Sequence, residues 1–116
     1  MKSLLGLIKR VTTRSVNVEK KDIEYQIGNY LIFLPPNHKL PEYQAAFRNY
    51  DKKLRSIVQI VESKNQSGVI IDIGANIGDT AAYIRSFSKS KIYCIEGDIF
   101  YLEYLKKNCQ IIPNIE

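Results

Sequence analysis

Hydrophobic and polar positions change period several times along the chain, and each change predicts an element. Asp22-Ile23-Glu24-Tyr25-Gln26-Ile27 alternates polar and apolar, the period of a half-buried strand. Gly28-Asn29 makes a two-residue turn and Tyr30-Leu31-Ile32-Phe33-Leu34 returns, so a β-hairpin is expected. Pro35-Pro36 ends it, because proline removes a ladder donor. Pro41 suits the first turn of a helix. From there Tyr43, Phe47, Tyr50, Leu54, Ile57, Val58 and Val61 recur every three or four residues through Glu62. This spacing predicts one long helix with a core-facing stripe. It would pack over one edge of a sheet and lead through Asn65-Gln66-Ser67-Gly68, a loop, into the next strand.

Val69-Ile70-Ile71 is an unbroken apolar run and predicts a strand buried on both faces, as in a parallel sheet. It passes into Asp72-Ile73-Gly74-Ala75-Asn76-Ile77-Gly78, and Asp79-Thr80-Ala81-Ala82 starts a helix that continues to Ser88-Lys89-Ser90. Ala81 and Ala82 are small enough to bring that helix close to the sheet. Lys91 to Ile95 forms the second strand, parallel to the first through a right-handed crossover. Asp98 caps a further helix whose inward stripe is Leu102, Leu105 and Cys109. A third strand would start at Pro113-Asn114-Ile115-Glu116.

The stretch from Asp72 to Thr80 carries the candidate chemistry. Gly74 and Gly78 lack a Cβ, which permits a tight turn and a close approach of ligand to backbone. The start of the following helix favours an anionic group. A dinucleotide fingerprint needs glycines where Asn76 and Asp79 stand, and a phosphate loop needs Lys and Ser or Thr after Gly78. Asp79 would also set a carboxylate beside any pyrophosphate. Glu96, at the end of the second strand, can accept hydrogen bonds from both hydroxyls of a ribose. A ligand with ribose and no phosphate is S-adenosylmethionine.

Taken together, Asp72-Ile73-Gly74-Ala75-Asn76-Ile77-Gly78, then Ile95-Glu96-Gly97-Asp98, then Leu102, Leu105 and Asn108 resemble the FkbM-type family of S-adenosylmethionine-dependent methyltransferases. Gly97 and Ile99 replace two prolines of the family's acidic segment, and Leu102 stands in for its aromatic residue. Leu40-Pro41-Glu42-Tyr43 and Tyr50-Asp51-Lys52-Lys53-Leu54 look like the lead-in helix of members from glycan gene clusters, so the resemblance spans residues 23 to 116. It implies an α/β fold, the amino-terminal part of a Rossmann-like class I methyltransferase sheet, preceded by the hairpin and the amphipathic helix. It also implies O-methylation of a sugar hydroxyl in a glycan or of a small metabolite. Under this reading the backbone from Gly74 through Ala75 to Gly78 passes beneath the methionine portion, with Gly74 closest and Asn76 offering its amide. Asp72 holds the loop or meets the amine, and Thr80 with the N–H groups near Asp79 receives the carboxylate. Glu96 grips the ribose, while Gly97 and Asp98 border the adenine. The alternative is that Asp72 merely bonds loop amides and Glu96 is a solvated strand end. No catalytic base is assigned; His38, the sole histidine, is an outside candidate in a loop.

Length changes the picture. A sheet of about six or seven strands does not fit in 116 residues, so the chain reads as an amino-terminal, cofactor-binding half that is inactive alone. Residues 1–21 are a basic segment and linker, 22–66 the hairpin and lead-in helix, and 67–116 the first part of the cofactor domain. The competing readings are a nicotinamide-linked oxidoreductase, which the missing glycines oppose, and a non-catalytic remnant or interaction module with weak nucleotide binding. Apolar content of 45% and charged content of 25% are ordinary for a globular protein. Net charge is +5, with Lys2, Lys9, Arg10, Arg14 and Lys20 set against Glu19 near the start. That segment reads as a solvated basic tail; no aromatics interleave, which opposes nucleic-acid binding. Leu4, Leu5, Ile8 and Val11 form a short amphipathic stripe that would pack on the domain or lie on a membrane surface. The run Leu4 to Ile8 is too short for a signal or a span, so no transmembrane segment and a cytoplasmic location are expected. Cys94 and Cys109 lack CxxC spacing and nearby histidine, so no metal is expected and both read as buried small hydrophobes in a reducing compartment. The acceptor is a small molecule or a glycan; the oligomeric state is not legible.

Overall fold

The computed structural model describes residues 20–116. The amphipathic stripe and the basic linker expected before Lys20 lie outside the described residues. Strands β1 (Ile23–Ile27) and β2 (Tyr30–Leu34) pair antiparallel, from Ile23 opposite Leu34 to Ile27 opposite Tyr30. Gly28 turns the hairpin at φ +52°, and a Cβ there would collide with the Ser86 side chain. The turn therefore needs glycine for two reasons. Ser86 accepts a hydrogen bond from the Asn29 amide at 3.0 Å, which fastens the turn to the central unit.

The expected single long helix is two. Helix α1 covers Leu40–Ala46 and α2 covers Lys52–Lys64. Phe47 is extended at φ −120°, and Asp51 is left-handed at φ +63°, which cannot continue a right-handed helix. Asn49, Tyr50 and Asp51 carry the signal, since Asn and Asp compete with helical bonding and favour turns. The stripe is not core-facing either. Val58 is buried and Leu54 half-buried, but Tyr43, Phe47, Tyr50, Ile57 and Val61 are exposed.

Strands β3 (Val69–Ile73) and β4 (Lys91–Ile95) are parallel, with Val69 opposite Lys91 and Ile73 opposite Ile95. Between them runs α3 (Asp79–Arg85), shorter than expected; the Arg85 guanidinium folds back to donate to the Ser88 carbonyl at 2.7 Å. Helix α4 (Ile99–Cys109) follows, and Asp98 caps it by accepting from the Phe100 amide at 2.8 Å. Residues 114–116 then run beside β4: Glu116 donates to Ile92 at 3.0 Å, and Cys94 donates to Glu116 at 2.7 Å.

The sheet face carrying Ile70 and Ile92 is covered by Val58 of α2 and by Ala81 and Ile84 of α3. The opposite face is open. Val69 is 55%, Ile71 61% and Ile73 78% exposed, which corrects the expected burial on both faces. Both helices that bracket β3 pack on one side, so its apolar run alone could not reveal the open side.

A second cluster joins the hairpin (Ile27, Ile32, Leu34) to Leu40, Ile77, Ala82 and Ile112. Asn108 of α4 ties the layers together. Wholly buried, it accepts from the Phe33 amide at 2.8 Å and donates to the Phe33 carbonyl at 2.9 Å and the Ile77 carbonyl at 2.7 Å. Its amide thus stands where a neighbouring strand would otherwise bond β2. The buried stripe of α4 is Leu105 with Asn108, while Leu102 and Cys109 are half-buried. Cys94 and Cys109 are free, half-buried rather than buried, and border one cavity of about 390 Å³. The architecture is a small α/β unit with one antiparallel hairpin and one parallel pair. Among the described residues no helix is long and apolar enough to cross a membrane.

Candidate functional site

Parallel pairing brings the carboxyl ends of β3 and β4 side by side, and the loop after β3 folds over that edge. The Gly74 and Ala75 amides donate to the Ile95 carbonyl at 2.8 and 3.0 Å. Gly74 (φ +77°), Asn76 (φ +52°) and Gly78 (φ +86°) all take the left-handed conformation, which gives the loop its tight course. The two glycines differ in what surrounds them. A Cβ on Gly74 would meet nothing within 4 Å, whereas one on Gly78 would lie 3.0 Å from Leu105. Gly74 faces open space; Gly78 faces α4 and is buried, as is Ala75.

Glu96 closes the loop. Its carboxylate accepts from the Asn76 amide at 2.7 Å through one oxygen and from the Asp98 amide at 2.7 Å through the other. Those bonds, the Asp98 amide first, hold its pKa below the ordinary carboxylate value. The loop-amide role considered for Asp72 thus falls to Glu96, which is half-buried and retains lone pairs for a further donor. Asp72 is half-buried, and its Oδ2 has no hydrogen-bond partner. Burial, and then the charge of Glu96, push its pKa up. That oxygen is itself buried, a polar atom left without compensation at the end of β3.

A cavity of about 450 Å³ opens on the amino side of this loop. Gly74, Asn76, Asp79 and Thr80 line it together with His38, Tyr43, Tyr50 and Tyr101. Asp72, Ala75, Gly78, Glu96, Gly97 and Asp98 do not line it. Gly97 has open space where a Cβ would be, and Asp98 is engaged as the cap of α4. Asp79 is largely desolvated, and its pKa is pushed up to about 6. Burial is the main cause, opposed by its own amide and by His38, and reinforced by Asp51 and Asp72. A carboxyl poised near neutrality can exchange a proton with a bound group.

His38 is committed at both ring nitrogens. Nδ1 accepts from the Leu40 amide at 3.2 Å, so Nε2 carries the proton and donates to the Asn76 side-chain oxygen at 3.0 Å. It thereby orients the Asn76 side chain at the cavity wall. The chain from Leu40 through His38 and Asn76 to Glu96 links the segment before α1 to the end of β4. Tyr43 and Tyr50 were legible only as stripe residues; the helix break turns them into cavity walls. Among the described residues no cluster of three metal-ligating side chains occurs. No family model, curated protein or solved structure matches the chain.

Proposed function

We propose that the chain is the cofactor-binding part of an S-adenosylmethionine-dependent O-methyltransferase of the FkbM type. The observation that carries the reading is the meeting of the Asp72–Gly78 loop with Glu96 across two adjacent parallel strands, with Gly74 unobstructed at a cavity of about 450 Å³. Residues 114–116, lying parallel beside β4, suit the start of a third strand in a Rossmann-like sheet. Gly74 and Asn76 would cradle the amino-acid portion, Asp72 would meet its ammonium, and Glu96 would accept from the ribose. Gly97 and Asp98 would border the adenine, and Thr80 would receive the carboxylate. When bound, the cofactor supplies an electrophilic methyl group on a sulfonium, already a good leaving group. The residues then position the acceptor, and Asp79 takes up the proton of its hydroxyl. A sugar hydroxyl in a glycan or small metabolite, in the cytoplasm, completes the reading.

The test is a calorimetric titration with S-adenosylhomocysteine, with NADH as control and circular dichroism on the same sample. Saturable binding of the first alone, weakened by both Asp72→Ala and Glu96→Ala, supports the assignment. A folded chain that does not bind, or unchanged affinity in both variants, removes it. A second reading, an interaction module, draws on the open sheet face of Val69, Ile71, Ile73, Tyr93 and Ile95. Sedimentation analysis would reveal self-association if that face pairs.

A further inference from the structure

The break between α1 and α2 exposes Phe47 and Tyr50 beside Arg48, and these three border a second cavity of about 290 Å³ against the β1–β2 turn. Three hydrogen-bond donors gather there. Arg48 and Lys52 make no ion pair among the described residues. Gln44 also lines the cavity, and because its side-chain oxygen accepts from the Tyr25 hydroxyl at 3.0 Å, its amide N–H groups stay free. No carboxylate lines this cavity, whereas Asp79 lines its neighbour. Tyr50 is a wall of both.

Unpaired guanidinium and ammonium groups select an anion, and exposed aromatic faces beside an amide suit the C–H face and hydroxyls of a compact polar body. We propose that this cavity binds a small hydroxylated anion, of which an acidic monosaccharide is the simplest form, and that the ligand reaches past Tyr50 toward the Gly74 cavity. Its role as methyl acceptor rests on the function proposed above; its binding does not.

The test titrates the 116-residue chain with glucuronate, glucose and inorganic phosphate, following amide chemical shifts by NMR. Glucuronate should saturate, with shifts at Gln44, Phe47, Arg48 and Tyr50. Glucose and phosphate should each bind at least about tenfold more weakly, the loss of one good charged or stacking contact. Arg48→Gln and Lys52→Gln, both at exposed positions, should each weaken glucuronate by a similar factor and leave S-adenosylhomocysteine affinity unchanged. Equal binding of glucose, equal binding of phosphate, or no saturable shift with glucuronate overturns the proposal. Glucuronate binding without S-adenosylhomocysteine binding would keep this site while removing the cofactor reading, and the reverse result would do the opposite.

Discussion

Replacing Asn108 by alanine tests how the hairpin is joined to the Gly74–Gly78 loop. The wild-type amide makes three hydrogen bonds, two to Phe33 and one to the Ile77 carbonyl, from a position with no solvent exposure. Each bond contributes roughly 1 kcal/mol net, and each buried group left unpaired adds its own desolvation cost. The expected loss is about 3 kcal/mol, rising toward about 5 if no water enters, against a total of about 5–15 for a domain of this size. Urea unfolding followed by circular dichroism should show the midpoint falling by roughly 1–3 M. Asn108→Leu separates two causes. Leucine fills the volume without supplying donors or acceptors, so a hydrogen-bond role predicts a loss close to that of alanine. If leucine restores stability to within about 1 kcal/mol of wild type, the bonds contribute little and the reasoning fails. Because the Ile77 carbonyl anchors the loop from Gly74 to Gly78, both variants should also loosen that loop, read as faster amide exchange at Asn76.

Asp79, with a folded pKa raised to about 6 from 3.8, stabilises the fold below pH 3.8 and loses that contribution as pH rises to about 6. Asp79→Asn should therefore gain up to about 3 kcal/mol at pH 8 and little at pH 3.5; equal gains at both pH values would refute the buried-carboxyl account. Burial sets this titration, its own amide opposes the shift, and the charged groups that modulate it are Asp51, His38 and Asp72. For His38, nitrogen-15 NMR should find the proton on Nε2 and a bare Nδ1, and the reverse tautomer would undo the assigned link to Asn76. Cys109 and Cys94 border the same cavity, and the interaction between their thiols lowers the Cys109 pKa and raises that of Cys94. Iodoacetamide should consequently label Cys109 first by mass spectrometry; equal rates would count against the pairing.

The hairpin, the β3 and β4 strands, the Gly74–Gly78 turn and the Asp98 cap were all legible in the sequence. Each depends on backbone preferences over a few neighbouring residues: alternation, a positive φ, a side-chain oxygen beside a helix start. The long helix failed at Asn49, Tyr50 and Asp51, where the apolar period continues but two turn-forming side chains and a left-handed backbone interrupt it. Periodicity reports where side chains point, not whether anything faces them. Hence Val58 is buried while Ile57 and Val61 are exposed, and β3 is covered on one face alone. The site divides in the same way. Gly74 and Glu96 could be picked out by their places at two strand ends, yet only the fold brings the Glu96 carboxylate to the Asn76 amide and leaves Asp72 Oδ2 without a partner. Tertiary structure alone decided the roles of His38 towards Asn76 and of Asn108, because these partners lie 31 to 75 residues away and hydrogen-bond geometry across such distances has no local signature.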